Sequence, residues 1–119
     1  MASLLFVLTH STEAPDRATT GLATALAAQR AGHDVALWCT GEGVRLGVKA
    51  VAETLREPHP ESAAEMVEAL VAGGASLLLE RLSFTIREFD PTAVRPGAEV
   101  VDADRLATEI AGGRQAVSL

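Results

Sequence analysis

Two side chains with proton-transfer or nucleophilic chemistry stand at the ends of short apolar runs. His10 lies in the polar stretch Thr9-His10-Ser11-Thr12, directly after Leu4-Leu5-Phe6-Val7-Leu8. Cys39 closes Val35-Ala36-Leu37-Trp38-Cys39. An imidazole titrates near neutrality and can act as a base or polarise a ligand. A thiol attacks only as the thiolate, so its surroundings decide whether it reacts. If the two runs are neighbouring strands, His10 and Cys39 form the elements of a Cys–His nucleophilic site. The alternative is a loop histidine bonded to its neighbours and a buried, inert cysteine. For Cys39 that alternative is expected, because it ends an apolar run.

Three further groups carry polar chemistry. Thr40-Gly41-Glu42-Gly43-Val44 follows the second apolar run and can present backbone N–H groups to an anion. Equally, it is a turn that needs a positive φ. It is neither a phosphate-binding P-loop nor a dinucleotide fingerprint, since it has no Gly-Lys-Ser/Thr and no third glycine in the right context. Glu80-Arg81 can bind a polar substrate, form a solvated pair or make a contact between subunits. Asp102 ends a fourth apolar run. His33 and His59 read as loop residues. No two or three ligands share a metal-binding spacing, so neither a metal nor a cofactor is expected. A phospho-receiver is disfavoured, because it needs an acidic pair where this chain has Thr9-His10.

The elements that position these groups alternate. Strands are expected at Leu4–Leu8, Val35–Cys39, Ala75–Leu79, Ala98–Val101 and Gln115–Leu119. Leu4–Leu8 is a continuous apolar run, as in a central parallel strand buried on both faces. Between them lie an Ala-rich helix over Arg17–Ala31 and a patchy one from Val44 to about Leu55. A helix over Ala63–Ala72 follows, capped by Ser62 with Glu65 three residues on. A short helix spans Leu82–Phe89 with Leu82, Ile86 and Phe89 inward, and the last covers Ala103–Ala111 behind Asp102. Arg56–Pro60 reads as loop. Alternation of this kind predicts a single-domain, three-layer α/β/α fold over residues 1–119, with a mainly parallel five-stranded sheet and right-handed crossovers. Ligands of such sheets bind beyond the carboxyl ends of the strands. The candidate ligand-binding set is therefore Thr9, His10, Thr40, Gly41, Gly43, Glu80 and Arg81.

Composition narrows the function classes. The chain has 119 residues and is 48% hydrophobic, which suits one packed domain. Aromatic residues make up 3%, with no Tyr, so no stacking platform for single-stranded nucleic acid exists. Net charge is −6 and the ten basic residues are scattered, which speaks against nucleic-acid binding. A single cysteine allows no internal disulfide. No apolar run approaches the ~20 residues that span a bilayer, and Met1–Thr9 lacks a basic leader, so no membrane is expected and the cytoplasm is the expected location.

In the order and spacing of several segments the chain resembles the DsrE/DsrF/TusD-like proteins of intracellular sulfur relay. The segments are Leu4–Leu8, Asp16-Arg17-Ala18, Ala31-Gly32-His33-Asp34-Val35, Thr40–Val44, Gly74–Leu79 and Pro96-Gly97-Ala98-Glu99-Val100-Val101. The resemblance implies a five-stranded α/β fold and homo-oligomers, commonly trimers or hexamers. For the sulfurtransferase members of that family it also implies an acceptor cysteine just after the third strand. Here that segment reads Leu79-Glu80-Arg81-Leu82-Ser83. A persulfide needs a sulfur atom, which neither Glu80 nor Ser83 supplies. The expectation is thus a non-catalytic or accessory DsrE-like protein that binds a small ligand or a sulfur-relay protein partner. The alternatives are a sulfurtransferase or thiol enzyme using Cys39 with His10, and an oligomeric interaction module without a ligand.

Overall fold

The computed structural model describes residues 1–54 and 62–119. Its elements alternate as β1 (Ser3–Leu8), α1 (Pro15–Arg30), β2 (Asp34–Cys39), α2 (Ala63–Ala72), β3 (Ser76–Glu80), α3 (Arg81–Ile86), β4 (Ala98–Val101), α4 (Ala103–Ala111) and β5 (Gln115–Ser118). The five strands form one sheet in the order β4-β3-β2-β1-β5, and every neighbouring pair is parallel.

Alternation along the strands divides the core between the two faces of the sheet. Phe6, Leu8, Val35, Leu37, Cys39, Leu77 and Leu79 meet Leu22 and Leu26 of α1 and Met66 and Leu70 of α2. Leu5, Ala36, Trp38, Leu78 and Val101 face the other way, against Leu106 of α4. The second layer is thin, and no residue of α4 is fully buried.

Local signals set most boundaries. Pro15 occupies the first turn of α1, where its missing N–H costs nothing, so this helix starts two residues before the expected Arg17 and ends at Arg30. Ser62 caps α2 as expected, its Oγ accepting the Glu65 N–H at 3.1 Å. Asp102 sits at the cap position of α4 but does not cap it, because its carboxylate accepts from Arg81 Nε at 2.8 Å.

Two expectations need correction. The segment after β2 is not an α-helix from Val44. It is a 3₁₀ turn over Gly41–Gly47, with a second short one at Ala52–Thr54. Leu55, the expected loop Arg56–Pro60 and His59 lie outside the described residues. The second correction concerns α3. Leu82 and Ile86 do not point inward: they are 67% and 66% exposed, while Ser83 and Phe84 are buried. The Glu80 carboxylate accepts the N–H groups of Leu82 and Ser83. That cap starts the helix at Arg81 and turns Ser83 toward the body of the protein. Phe89 is only partly buried, with its ring 5.7 Å from Phe84 and the Arg45 guanidinium 5.2 Å from its centroid.

Candidate functional site

The register aligns the carboxyl ends of the strands. Leu8 pairs with Cys39, Cys39 with Leu79, and Glu80 with Val101. The polar residues that follow each strand therefore share one edge of the sheet.

At this edge a network joins β2 to β3. Ser83 Oγ donates to Glu80 Oε1 at 2.6 Å and accepts the Gly41 N–H at 2.9 Å. Thr40 Oγ1 lies 3.3 Å from Ser83 Oγ and 3.5 Å from Glu80 Oε1. Burial pushes the Glu80 carboxyl up, but hydrogen bonds from Ser83 Oγ, the Leu82 and Ser83 amides and Thr40 outweigh it and hold the group below its ordinary value. Glu80 is thus an anion whose acceptors are filled by its own chain.

Glycines let the 3₁₀ turn approach this closely. Gly41 adopts φ +57°, as the turn reading requires. At Gly43 the constraint is space, since a Cβ would fall 2.0 Å from the Leu8 carbonyl oxygen. Beside it, Glu42 accepts from Arg87 Nε at 2.7 Å and Arg45 Nε at 2.9 Å, and these two bonds hold its carboxyl low. Arg87 also reaches the Ser83 carbonyl at 2.9 Å.

His10 belongs to a separate local cluster. Its Nδ1 lies 2.9 Å from Glu13 Oε2, and the other Glu13 oxygen accepts the Ser11 N–H. Burial raises the Glu13 carboxyl, and the Ser11 and His10 contacts lower it further than burial raises it. Cys39 is fully buried among Leu8, Leu37, Val44 and Leu79, and burial pushes its thiol up to about 12. At neutral pH it is protonated and out of contact with solvent.

The sequence candidates therefore separate. Thr40, Gly41 and Glu80 meet in one network. Gly43 underpins it as a packing contact, and Thr9 supplies a backbone carbonyl 3.8 Å from where a Gly41 Cβ would lie. Arg81 turns away to Asp102 and to the Val100 carbonyl at 3.3 Å. With Glu80, Leu82, Thr85 and Asp102 it lines an open cleft of about 440 Å³ on the outer side of α3. Sequence reasoning missed Glu13, Arg45 and Arg87. Glu13 carries a local signal, a carboxylate three residues after a histidine in one polar loop. Arg87 is 45 residues from Glu42, and nothing local announces it. Among the described residues no cluster of three or more His, Cys, Asp or Glu is placed to hold a metal, and no helix is long and apolar enough to cross a membrane.

The family described as DsrE/DsrF-like matches residues 2–119. The chain belongs to the DsrE/DsrF-like family. Two solved structures share the fold over 100% of both chains. One is the ychN protein from E. coli, at 16% identity and a TM-score of 0.84. The other is MTH1491 from Methanobacterium thermoautotrophicum, a protein of unknown function, at 12% identity and a TM-score of 0.74. No curated protein matches the chain significantly. In this DsrE/DsrF-like chain Glu80 is the last residue of β3 and the cap of α3, with Ser83 one helical turn on.

Proposed function

We propose that this DsrE/DsrF-like protein is an accessory component of cytoplasmic sulfur relay that carries no sulfur itself and works by contact, with a protein partner or a small ligand, at the carboxyl edge of its sheet. One observation carries the reading. The only thiol in the chain, Cys39, is sealed in the core and protonated, while the strand-three position holds a carboxylate already satisfied by its own chain. Sulfur transfer needs an accessible thiolate, and Cys39 provides neither the access nor the charge. The thiol-enzyme alternative would need β2 to open, and the hydrogen bond of His10 goes to Glu13.

Alkylation kinetics test this reading. Cys39 in the native protein is expected to react with iodoacetamide at pH 7.5 at least ~100-fold more slowly than in urea, because a protonated, enclosed thiol reacts only through opening. Native labelling as fast as in urea overturns it.

The contact surface is the outer face of α3. Leu82 and Ile86 stand exposed beside the Arg81–Asp102 pair. Covering an isoleucine or leucine side chain is worth up to about 2 kcal/mol, so leaving two uncovered on one short helix favours association. The reading includes self-association through this face, as a trimer or hexamer. Light scattering at micromolar concentration is expected to give a multiple of the 12.4 kDa chain mass, and Ile86→Glu is expected to reduce it. A monomer in moderate salt removes this part of the proposal.

A further inference from the structure

A cavity of about 360 Å³ lies at the opposite end of the sheet from Glu80, where α2 ends and β4 begins. Its size falls within the range of small-molecule sites, about 300–1,000 Å³. The walls are hydrocarbon: Val67, Val71 and Ala72 from α2, and Pro96 from the segment before β4. Gly97 at φ +86° lets that segment close against α2, since a Cβ there would meet Val71 at 2.5 Å.

Two cations border this apolar wall. Val48 and Val94 form an antiparallel bridge, flanked by Lys49 N–H to the Ala93 carbonyl and Arg95 N–H to the Gly47 carbonyl, both at 2.8 Å. In such a ribbon Lys49 and Arg95 are diagonal neighbours on one face. Arg95 is only 8% exposed. One of its Nη groups donates to Glu53, but its Nε is buried with no acceptor. A buried donor left unpaired is costly, and a guanidinium has no means of losing its charge. Lys49 is the only lysine of the chain, and its ammonium has no partner among the described residues. Ala50, next to it, is held at φ +73° by its N–H bond to the same Glu53 at 2.8 Å. This backbone is strained and braced where the cations meet the cavity.

Two carboxylates select among anions. Glu53 already pairs with Arg95, which leaves Lys49 as the unmatched cation, and Glu68 also lines the cavity, so a second negative charge on the ligand would be repelled. We propose that this cavity binds a small monocarboxylate with an apolar tail. The carboxylate sits at Lys49 and Arg95, and the tail lies on Val67, Val71, Ala72 and Pro96. The site is separate from the Glu80 edge and does not depend on the sulfur-relay reading.

Sodium octanoate is the probe, titrated into the full chain and followed by amide NMR. Saturable shifts are expected at Lys49, Val71, Ala72 and Gly97, with half-saturation below about 5 mM. Octanol lacks the charge and acetate lacks the tail, so each is expected to bind at least ~10-fold more weakly. Lys49→Ala is expected to weaken octanoate by about tenfold through loss of a charge-assisted contact. Ala72→Phe fills the cavity from an exposed helix position and is expected to abolish binding while leaving the rest of the spectrum unchanged. The proposal is overturned if shifts stay linear to about 10 mM. It is also overturned if octanol matches octanoate, or if both variants bind octanoate as tightly as the parent.

Discussion

Gly43→Ala is expected to lower the thermal unfolding midpoint by about 12 °C. The added Cβ would lie 2.0 Å from the Leu8 carbonyl oxygen, 2.7 Å from its carbon and 3.2 Å from the Thr9 nitrogen. All three are backbone atoms at the end of β1, and the Leu8 carbonyl also accepts the Thr40 N–H at 3.0 Å, so they cannot swing aside as a side chain would. Overpacking a tight site costs about 1–3 kcal/mol, and a clash with backbone belongs at the upper end. At this chain length each kcal/mol moves the midpoint by about 4 °C. Gly41→Ala is the control: its φ of +57° imposes strain, but the nearest atom is 3.8 Å away, so the loss is about 1 kcal/mol. Melting curves followed by circular dichroism compare the two. Equal losses would show that the approach of the 3₁₀ turn to β1 does not limit Gly43.

Glu80→Cys is expected to turn a chain that takes up no sulfane sulfur into one that takes up one atom per molecule. The donors that now fill the carboxylate are the amides of Leu82 and Ser83 and the Ser83 hydroxyl. A cysteine here would expose its sulfur to the same donors, which favour the thiolate and lower its pKa below the ordinary value of about 8.5. In the reaction the thiolate attacks the outer sulfur of a polysulfide, a new S–S bond forms, and the shortened polysulfide leaves with the electron pair. Peptide mapping should place the added sulfur at position 80 and leave Cys39 unmodified. A position-80 thiol that titrates normally and takes up nothing would show that the edge lacks acceptor geometry as well as acceptor chemistry.

How much of this was legible in the sequence depended on whether the cause was local. Continuous apolar runs marked β1 and β2 and Leu77-Leu78-Leu79 marked β3, because a strand buried on both faces has no polar alternation, whereas β4 carries the exposed Glu99 and buries only Val101. Ser62 with Glu65 marked the start of α2, a capping signal spanning three residues. The face of α3 was not legible. Leu82, Phe84, Ile86 and Phe89 give an apolar count without a clear period in so short a helix, and the choice is made by Glu80 at the cap and Gly41 bonding Ser83 from 42 residues away. The 3₁₀ turn was misread as helix because its course depends on the close approach of Gly43 to Leu8, again a distant partner. At the site, Thr40, Gly41 and Glu80 followed from strand ends alone, and the burial of Cys39 followed from its run. Arg87 on Glu42 and the cavity between Lys49 and Pro96 come from segments far apart in the chain, which no window of sequence joins.

The central claim is that the native chain offers no sulfur-accepting group. Its most direct test is intact-mass spectrometry of the native protein after incubation with excess inorganic polysulfide at neutral pH, read before any unfolding step. The account predicts the unmodified mass, with an adduct of about 32 Da, one sulfur atom on a thiol, appearing only after denaturation exposes Cys39. A stoichiometric adduct on Cys39 in the folded protein would contradict it and make this chain a sulfur carrier.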